Sequence, residues 1–206
     1  MIPALLVVAG YLAGSLPFGY WLARALRGVD IRTVGSGNIG ATNVWRSFGP
    51  RLGIAVMVLD TLKGFVPALV ATLWVGSLWG VVAGAAAMLG HSRPLFLWFE
   101  RGGKMVATCG GAFLGVAPIV GGIGAAVWIL VFAACRYASV ASITAALSLP
   151  IVAVGLREPW PVVAFAVAAA LAVLVLHRGN IRRLRSGTET KMRLRRRVTA
   201  RGTGSV

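Results

Sequence analysis

The sequence predicts an all-α, polytopic integral membrane protein with about seven transmembrane helices, its N-terminus outside and its C-terminus in the cytoplasm. Three observations carry this expectation. Of 206 residues, 58% are hydrophobic and 13% charged, about half the charge of an ordinary soluble domain, and the mean hydropathy is +0.83. Apolar stretches suited to crossing about 30 Å of hydrocarbon recur along the chain. The basic residues, finally, gather in alternate intervals between those stretches.

The first apolar run covers residues 2–26. Its first positive charge, Arg24, comes only at its end, and no small-residue cleavage site stands out, so it reads as a retained span and not a signal peptide. A polar, glycine-rich interval over 27–51 leads to a second run at 52–75, interrupted by Asp60 and Lys63. Three apart, these two share a helix face and can pair. The third run, 78–89, can extend through 95–99. Residues 105–131 are too long for one comfortable span and hold Pro118, Gly121, Gly122 and Gly124. We divide them into spans at 105–120 and 123–135 around a Gly/Pro turn. A polar break at 136–142 precedes a sixth span at 143–156, and a seventh covers 160–176. Residues 1–189 read as one membrane domain and 190–206 as a basic cytoplasmic tail.

The formal net charge is +16, from 21 Lys and Arg against 5 Asp and Glu. With seven spans, one side holds residues 24–51, 91–104, 136 and everything after 177. That side carries 19 of the 21 basic residues, all except Lys63 and Arg157. The positive-inside rule makes it the cytoplasm, and a six-span reading breaks the partition. Nucleic-acid binders set basic residues on a soluble face, so this charge points to no nucleic acid. It suits anionic headgroups of the bilayer and an anionic substrate. Cys109 and Cys135 lie within apolar stretches, without metal-ligand spacing, and read as packing residues.

Polar segments with chemical character all fall on the basic side. Gly35-Ser36-Gly37-Asn38-Ile39-Gly40-Ala41-Thr42-Asn43, followed by Arg46, combines close backbone approach with small hydroxyl and amide donors and one forked cation. Gly102-Gly103-Lys104 before an apolar helix is similar to part of a phosphate-binding loop, with glycine amides, a helix N-terminus and a point charge. The GxxxxGK[ST] spacing of a nucleotide-hydrolysing loop is absent. His91, at the end of a span, suits a phosphate ligand, a proton carrier or a plain interfacial residue. His177 to Glu189 is richer in His, Asn, Gly and Glu than a basic anchor requires, whereas 191–201 is a plain headgroup-binding run. A weaker polar cluster runs from Arg136 to Ser142.

These segments resemble the bacterial acyl-phosphate:glycerol-3-phosphate acyltransferases, the PlsY family. The resemblance rests on Ser36 to Asn43 with Arg46; on Gly90-His91 with Pro94, leading to Gly102-Gly103-Lys104 and Val106-Ala107-Thr108; and on His177-Arg178, Asn180-Ile181, Arg183-Leu184, Gly187 and Glu189. One departure stands out: Met105 occupies a position where the family pattern leads us to expect glycine. The resemblance implies transfer of a fatty acyl group from acyl phosphate to the 1-hydroxyl of glycerol 3-phosphate at the bacterial inner membrane, with the active site facing the cytoplasm.

Acyl phosphate is already activated, so no protein nucleophile, cofactor or metal is expected. The GxSxG pattern is missing, as is a His-x-x-x-x-Asp pair at either histidine. Under this reading Ser36, Arg46, Lys104 and Asn180 bind phosphate, supported by Asn38, Thr42, Asn43, Ser142 and the Gly102 and Gly103 amides. His91 and His177 are candidates for holding the polar substrate or moving its proton, with a substrate phosphate oxygen as the alternative base. A transporter of an anionic solute would call for an internal repeat and charged midplane helices, of which only Asp60 and Lys63 offer a trace. A non-catalytic scaffold would leave the three Gly/Asn/His segments unexplained.

Overall fold

The structure, a computed structural model, describes residues 1–192. Most of the basic run at 191–201, including Arg195, Arg196 and Arg197, therefore lies outside the described residues. Every regular element among the described residues is helical: α1 (Ile2–Ser15), α2 (Phe18–Arg27), α3 (Ala41–Phe48), α4 (Pro50–Val75), α5 (Ser77–Ser92), α6 (Val106–Val116), α7 (Pro118–Cys135), α8 (Ala138–Gly155), α9 (Trp160–Leu176) and α10 (Arg178–Arg185). Short 3₁₀ turns occur at Ile31–Thr33 and Leu95–Leu97.

Prolines punctuate this order. Pro17 separates α1 from α2, since it has no N–H to continue the ladder. Pro50, Pro118 and Pro161 each stand in the first turn of their helix, where that donor is not needed. Seven apolar segments stand where the sequence predicts them, counting α1 and α2 as one. Their lengths are unequal. Residues 2–27 and α4, at 26 residues each, and α7 and α8, at 18 each, are long and apolar enough to cross a membrane. Helices α5 and α9 have 16 and 17 residues. Helix α6, at 11 residues, rises only about 16 Å, roughly half the hydrocarbon core.

Two boundaries differ from expectation. The α6–α7 turn falls at Ala117, because Pro118 opens α7 and its glycines serve packing. A Cβ at Gly121 would stand 2.6 Å from the Leu114 backbone, and one at Gly124 would stand 2.7 Å from the Leu149 side chain. Helix α8 starts at Ala138, so Ser139 and Ser142 sit on it and not in a loop. Residues 41–48, read as part of a polar loop, form α3.

Helices in lipid associate through close backbone approach and not through hydrophobic exclusion. Accordingly α1 meets α5 at Gly10 and Gly14, where a Cβ would strike the Ala83 and Ala87 carbonyls, and α4 meets α6 at Gly64, against the Thr108 carbonyl. Helices α7, α8 and α9 pack in sequence, and α9 returns to α5 and α6. Phe113 of α6 and Phe165 of α9 stack at 4.7 Å within this core. Leu73, Leu130 and Ile151 point outward and are largely exposed, as lipid-facing residues are.

Candidate active site

The first wall is the loop before α3. Gly35 and Gly37 have φ of +61° and +68°, a left-handed backbone that glycine adopts without strain. Asn43, 3% exposed, holds the loop in that shape. Its Oδ1 accepts from the Ser36 amide at 3.0 Å, and its Nδ2 donates to the carbonyls of Asn38 at 2.9 Å, Val34 at 3.0 Å and Ile31 at 3.3 Å. Its amide is thereby consumed. Asn38 accepts from the Gly40 amide at 2.8 Å and donates to the Gly102 carbonyl at 3.3 Å, joining the first loop to the second.

The second wall corrects an expectation. The Gly102 and Gly103 amides are not free for a ligand: they donate to the Ser92 and His91 carbonyls, each at 2.9 Å. Glycine is required here for proximity. A Cβ at Gly102 would stand 2.8 Å from the Pro94 ring, and one at Gly103 would overlap the His91 imidazole. Met105 has φ +66°, which explains why glycine is the natural residue there and implies a cost of about 1 kcal/mol or more. Its side chain does not crowd the site. It is 6% exposed and belongs to the apolar core with Phe113 and Phe165.

The third wall follows a bend of 57° between α9 and α10. Asn180 accepts from the Lys104 ammonium through Oδ1 and donates through Nδ2 to Glu189 Oε1 at 2.7 Å. Ser139 donates to the same oxygen at 2.9 Å, and Arg183 Nε to Oε2 at 2.7 Å. Burial alone would push the Glu189 carboxyl up, but hydrogen bonds from Asn180, Arg183 and Ser139 hold it below its ordinary value.

These walls enclose a cavity of about 730 Å³ whose lining includes Ser36, Arg46, Arg101, Lys104, Asn180 and Arg183. Thr42 borders a smaller adjoining recess. Among the described residues four cations thus surround one space, and the single carboxylate beside it, Glu189, is already taken by three donors. Arg46 gives Nη2 to the Thr190 carbonyl, while its buried Nε has no partner among the described residues. Burial, reinforced by nearby Arg183, lowers Lys104 to about 8. The arrangement favours a dianion and can offset charge that develops on it.

The remaining expected residues stand back from this space. His91 is 3% exposed and packs behind Gly103. His177, equally buried, has Nδ1 2.8 Å from the Val173 carbonyl. A carbonyl only accepts, so Nδ1 carries the proton. Ser142 donates to the Ala138 carbonyl at 2.7 Å and accepts from Trp128 Nε1 at 3.1 Å, outside the cavity lining. One turn earlier, Ser139 makes the contact with Glu189. Arg101, Arg183, Glu189 and Ser139 were not among the expected site residues. The signal for Arg183 and Glu189 was their place in the third motif.

The chain is similar over most of its length to proteins of one family. Residues 4–187 match the glycerol-3-phosphate acyltransferase family. A glycerol-3-phosphate acyltransferase of Geobacter metallireducens is 50% identical over 194 residues, spanning 94% of this chain and 99% of that one. One from Geotalea daltonii is 46% identical over 185 residues, spanning 89% and 94%. Among solved structures, the glycerol 3-phosphate form of PlsY (YgiH), an integral membrane glycerol 3-phosphate acyltransferase, superposes with a TM-score of 0.89 at 41% identity, covering 94% of this chain and 96% of that chain. Its lysophosphatidic acid form gives 0.87 at 40%, covering 94% and 97%.

Proposed function

The chain belongs to the glycerol-3-phosphate acyltransferase family, and from that premise we propose how this membrane acyltransferase uses its cavity. The acyl donor is acyl phosphate, the acceptor is the 1-hydroxyl of glycerol 3-phosphate, and the products are lysophosphatidic acid and inorganic phosphate. One observation carries the reading: Arg46, Arg101, Lys104 and Arg183 converge on a cavity whose only carboxylate among the described residues is already satisfied.

In this mechanism Ser36, Arg46, Lys104 and Asn180, joined by Arg183, bind phosphate and fix the two substrates against each other. The 1-hydroxyl oxygen attacks the acyl carbonyl carbon, the bond from that carbon to the phosphate oxygen breaks, and phosphate leaves. The hydroxyl proton passes to a phosphate oxygen. Neither imidazole lines the cavity, and His177 Nδ1 is committed to Val173, which favours a substrate phosphate as base. Asn43 and Asn38 shape the loop and do not bind the ligand.

Radiolabelled glycerol 3-phosphate with the purified protein tests the donor. Acyl phosphate supports turnover and acyl-CoA does not; comparable rates with acyl-CoA would remove acyl phosphate from the scheme. For sidedness, the chain makes seven crossings, the short α6 among them, and the cavity opens to the cytoplasm beside an anionic leaflet. A reporter after Val206 then reads as cytoplasmic and one in the α6–α7 turn at Ala117 as external. Both on one side would overturn that topology.

A further inference from the structure

Three polar side chains sit deep in the apolar body, outside the cavity lining. Asp60 and Lys63 on α4 are 2% and 5% exposed, and His91 at the end of α5 is 3% exposed. Lys63 Nζ lies 2.9 Å from Asp60 Oδ1. It also donates, over 2.9 Å, to the Leu16 carbonyl at the break between α1 and α2. His91 Nδ1 faces the same Asp60 oxygen at 3.8 Å, beyond hydrogen-bond reach, and has no hydrogen-bond partner among the described residues. The opposite edge of that ring, with Nε2, fills the space where a side chain at Gly103 would stand. A continuous line of contacts therefore runs from Leu16 through Lys63, Asp60 and His91 to Gly103, one residue short of Lys104.

A buried ion pair contributes little net stability, because lost hydration offsets the attraction. Ionisable residues within membrane segments mark function more often than structure. The residues flanking this line supply the task. Gly102 and Gly103 are tied by their amides to the carbonyls of Ser92 and His91, so the depth of the His91 ring sets the height of the loop that carries Lys104.

We propose that Asp60, Lys63 and His91 form a positioning brace, which ties the α1–α2 break to the Gly102–Gly103 loop and fixes where the Lys104 ammonium meets the phosphate of glycerol 3-phosphate. The proposal rests on the reading of the cavity as the glycerol 3-phosphate site. It also takes His91 out of the role of proton carrier.

The test uses the full chain purified in detergent, with acyl phosphate saturating and glycerol 3-phosphate varied. Asp60→Leu combined with Lys63→Met replaces the pair by apolar side chains, which preserves packing but removes the carboxylate facing His91 and the donor to the Leu16 carbonyl. The expected result is a melting temperature close to wild type, a KM for glycerol 3-phosphate raised about tenfold or more, and kcat within about threefold. His91→Gln should likewise shift KM and spare kcat. A wild-type KM in the double variant overturns the brace, as does a fallen melting temperature with KM unmoved. Loss of about a hundredfold in kcat for His91→Gln at constant KM also overturns it, because that is the mark of a proton carrier. Lys104→Ala in the same assay separates the two levels. If it falls while the double variant stays at wild type, the brace alone is wrong. If it too stays at wild type, the site reading fails and the brace falls with it.

Discussion

Arg46 and Thr190, 144 positions apart in the chain, are joined by a hydrogen bond of 2.6 Å from the guanidinium Nη2 to the backbone carbonyl. This bond draws the segment after α10 over the cavity that Arg46 itself lines. A forked guanidinium can hold the carbonyl and present further N–H groups to a phosphate; an ammonium cannot do both with fixed geometry. Arg46→Lys should therefore reduce kcat/KM for glycerol 3-phosphate by tenfold or more, from the loss of about 1.5–3 kcal/mol of charge-assisted hydrogen bonding. Steady-state kinetics check this, and a variant near wild type would show that charge alone suffices.

Asn43 predicts a different signature. Its amide is spent on Ser36, Asn38, Val34 and Ile31, so truncation leaves one amide and several carbonyls near the protein interior without their partner. Asn43→Ala should cost about 2–4 kcal/mol of stability, seen as a lower melting temperature in detergent. The KM for glycerol 3-phosphate should rise as the Ser36 loop loosens. A variant with full stability and a weakened KM would make Asn43 a ligand and not a staple.

Glu189 links stability to pH. Burial pushes its carboxyl up, but Asn180, Arg183 and Ser139 more than compensate, and the folded value lies below the ordinary 4.5. A depressed carboxylate contributes stability that is fully present above the unfolded value and is lost as pH falls through the folded one. The melting temperature of the wild type should thus decline below about pH 4.5. Glu189→Gln presents an NH₂ group among three donors, so its melting temperature should be lower at pH 7 and change less through the acid window. An equally steep acid decline in the variant would assign that pH dependence to other carboxylates.

Much of this arrangement was legible in the residues. Proline positions and apolar runs marked seven segments in the right order, and the Asp60–Lys63 spacing announced an ion pair that forms at 2.9 Å. Ser36, Arg46, Lys104 and Asn180 do meet at one cavity. What escaped depended on partners distant in sequence. Gly102-Gly103 carries the composition of a phosphate loop, yet nothing local says that Ser92 and His91 carbonyls occupy its amides. Of the three donors around Glu189, Ser139 stands on α8 and Asn180 and Arg183 on α10, a convergence that only the tertiary fold defines. Composition cannot separate a flexible glycine from one that admits a neighbour, so the sequence points the α6–α7 turn at glycines that instead pack against Leu114 and Leu149.

Lys104 decides between binding and anchoring as the work of the basic residues. Its ammonium donates to Asn180 beside a cavity shared with Arg46, Arg101 and Arg183. Burial, with Arg183 next in weight, lowers its pKa to about 8. In the free enzyme the ammonium is therefore lost as pH rises through about 8, and kcat/KM for glycerol 3-phosphate should fall along that limb, since this ratio reports free-enzyme ionisations. A bound phosphate favours the charged form, so the same limb in kcat should lie at higher pH. Removing the side chain leaves a phosphate charge undercompensated in a partly desolvated site, at a cost of about 2–5 kcal/mol, or roughly thirtyfold and more in kcat/KM. Arg195, Arg196 and Arg197, in the basic tail of the sequence, should each contribute only about 1 kcal/mol of attraction to an anionic leaflet. In detergent, where that attraction is largely absent, neutralising all three should leave kcat/KM within a few-fold, whereas Lys104→Ala should nearly abolish it and erase the alkaline limb. If Lys104→Ala stays near wild type while the tail variant collapses, the phosphate is held by the tail and the cavity is not its site.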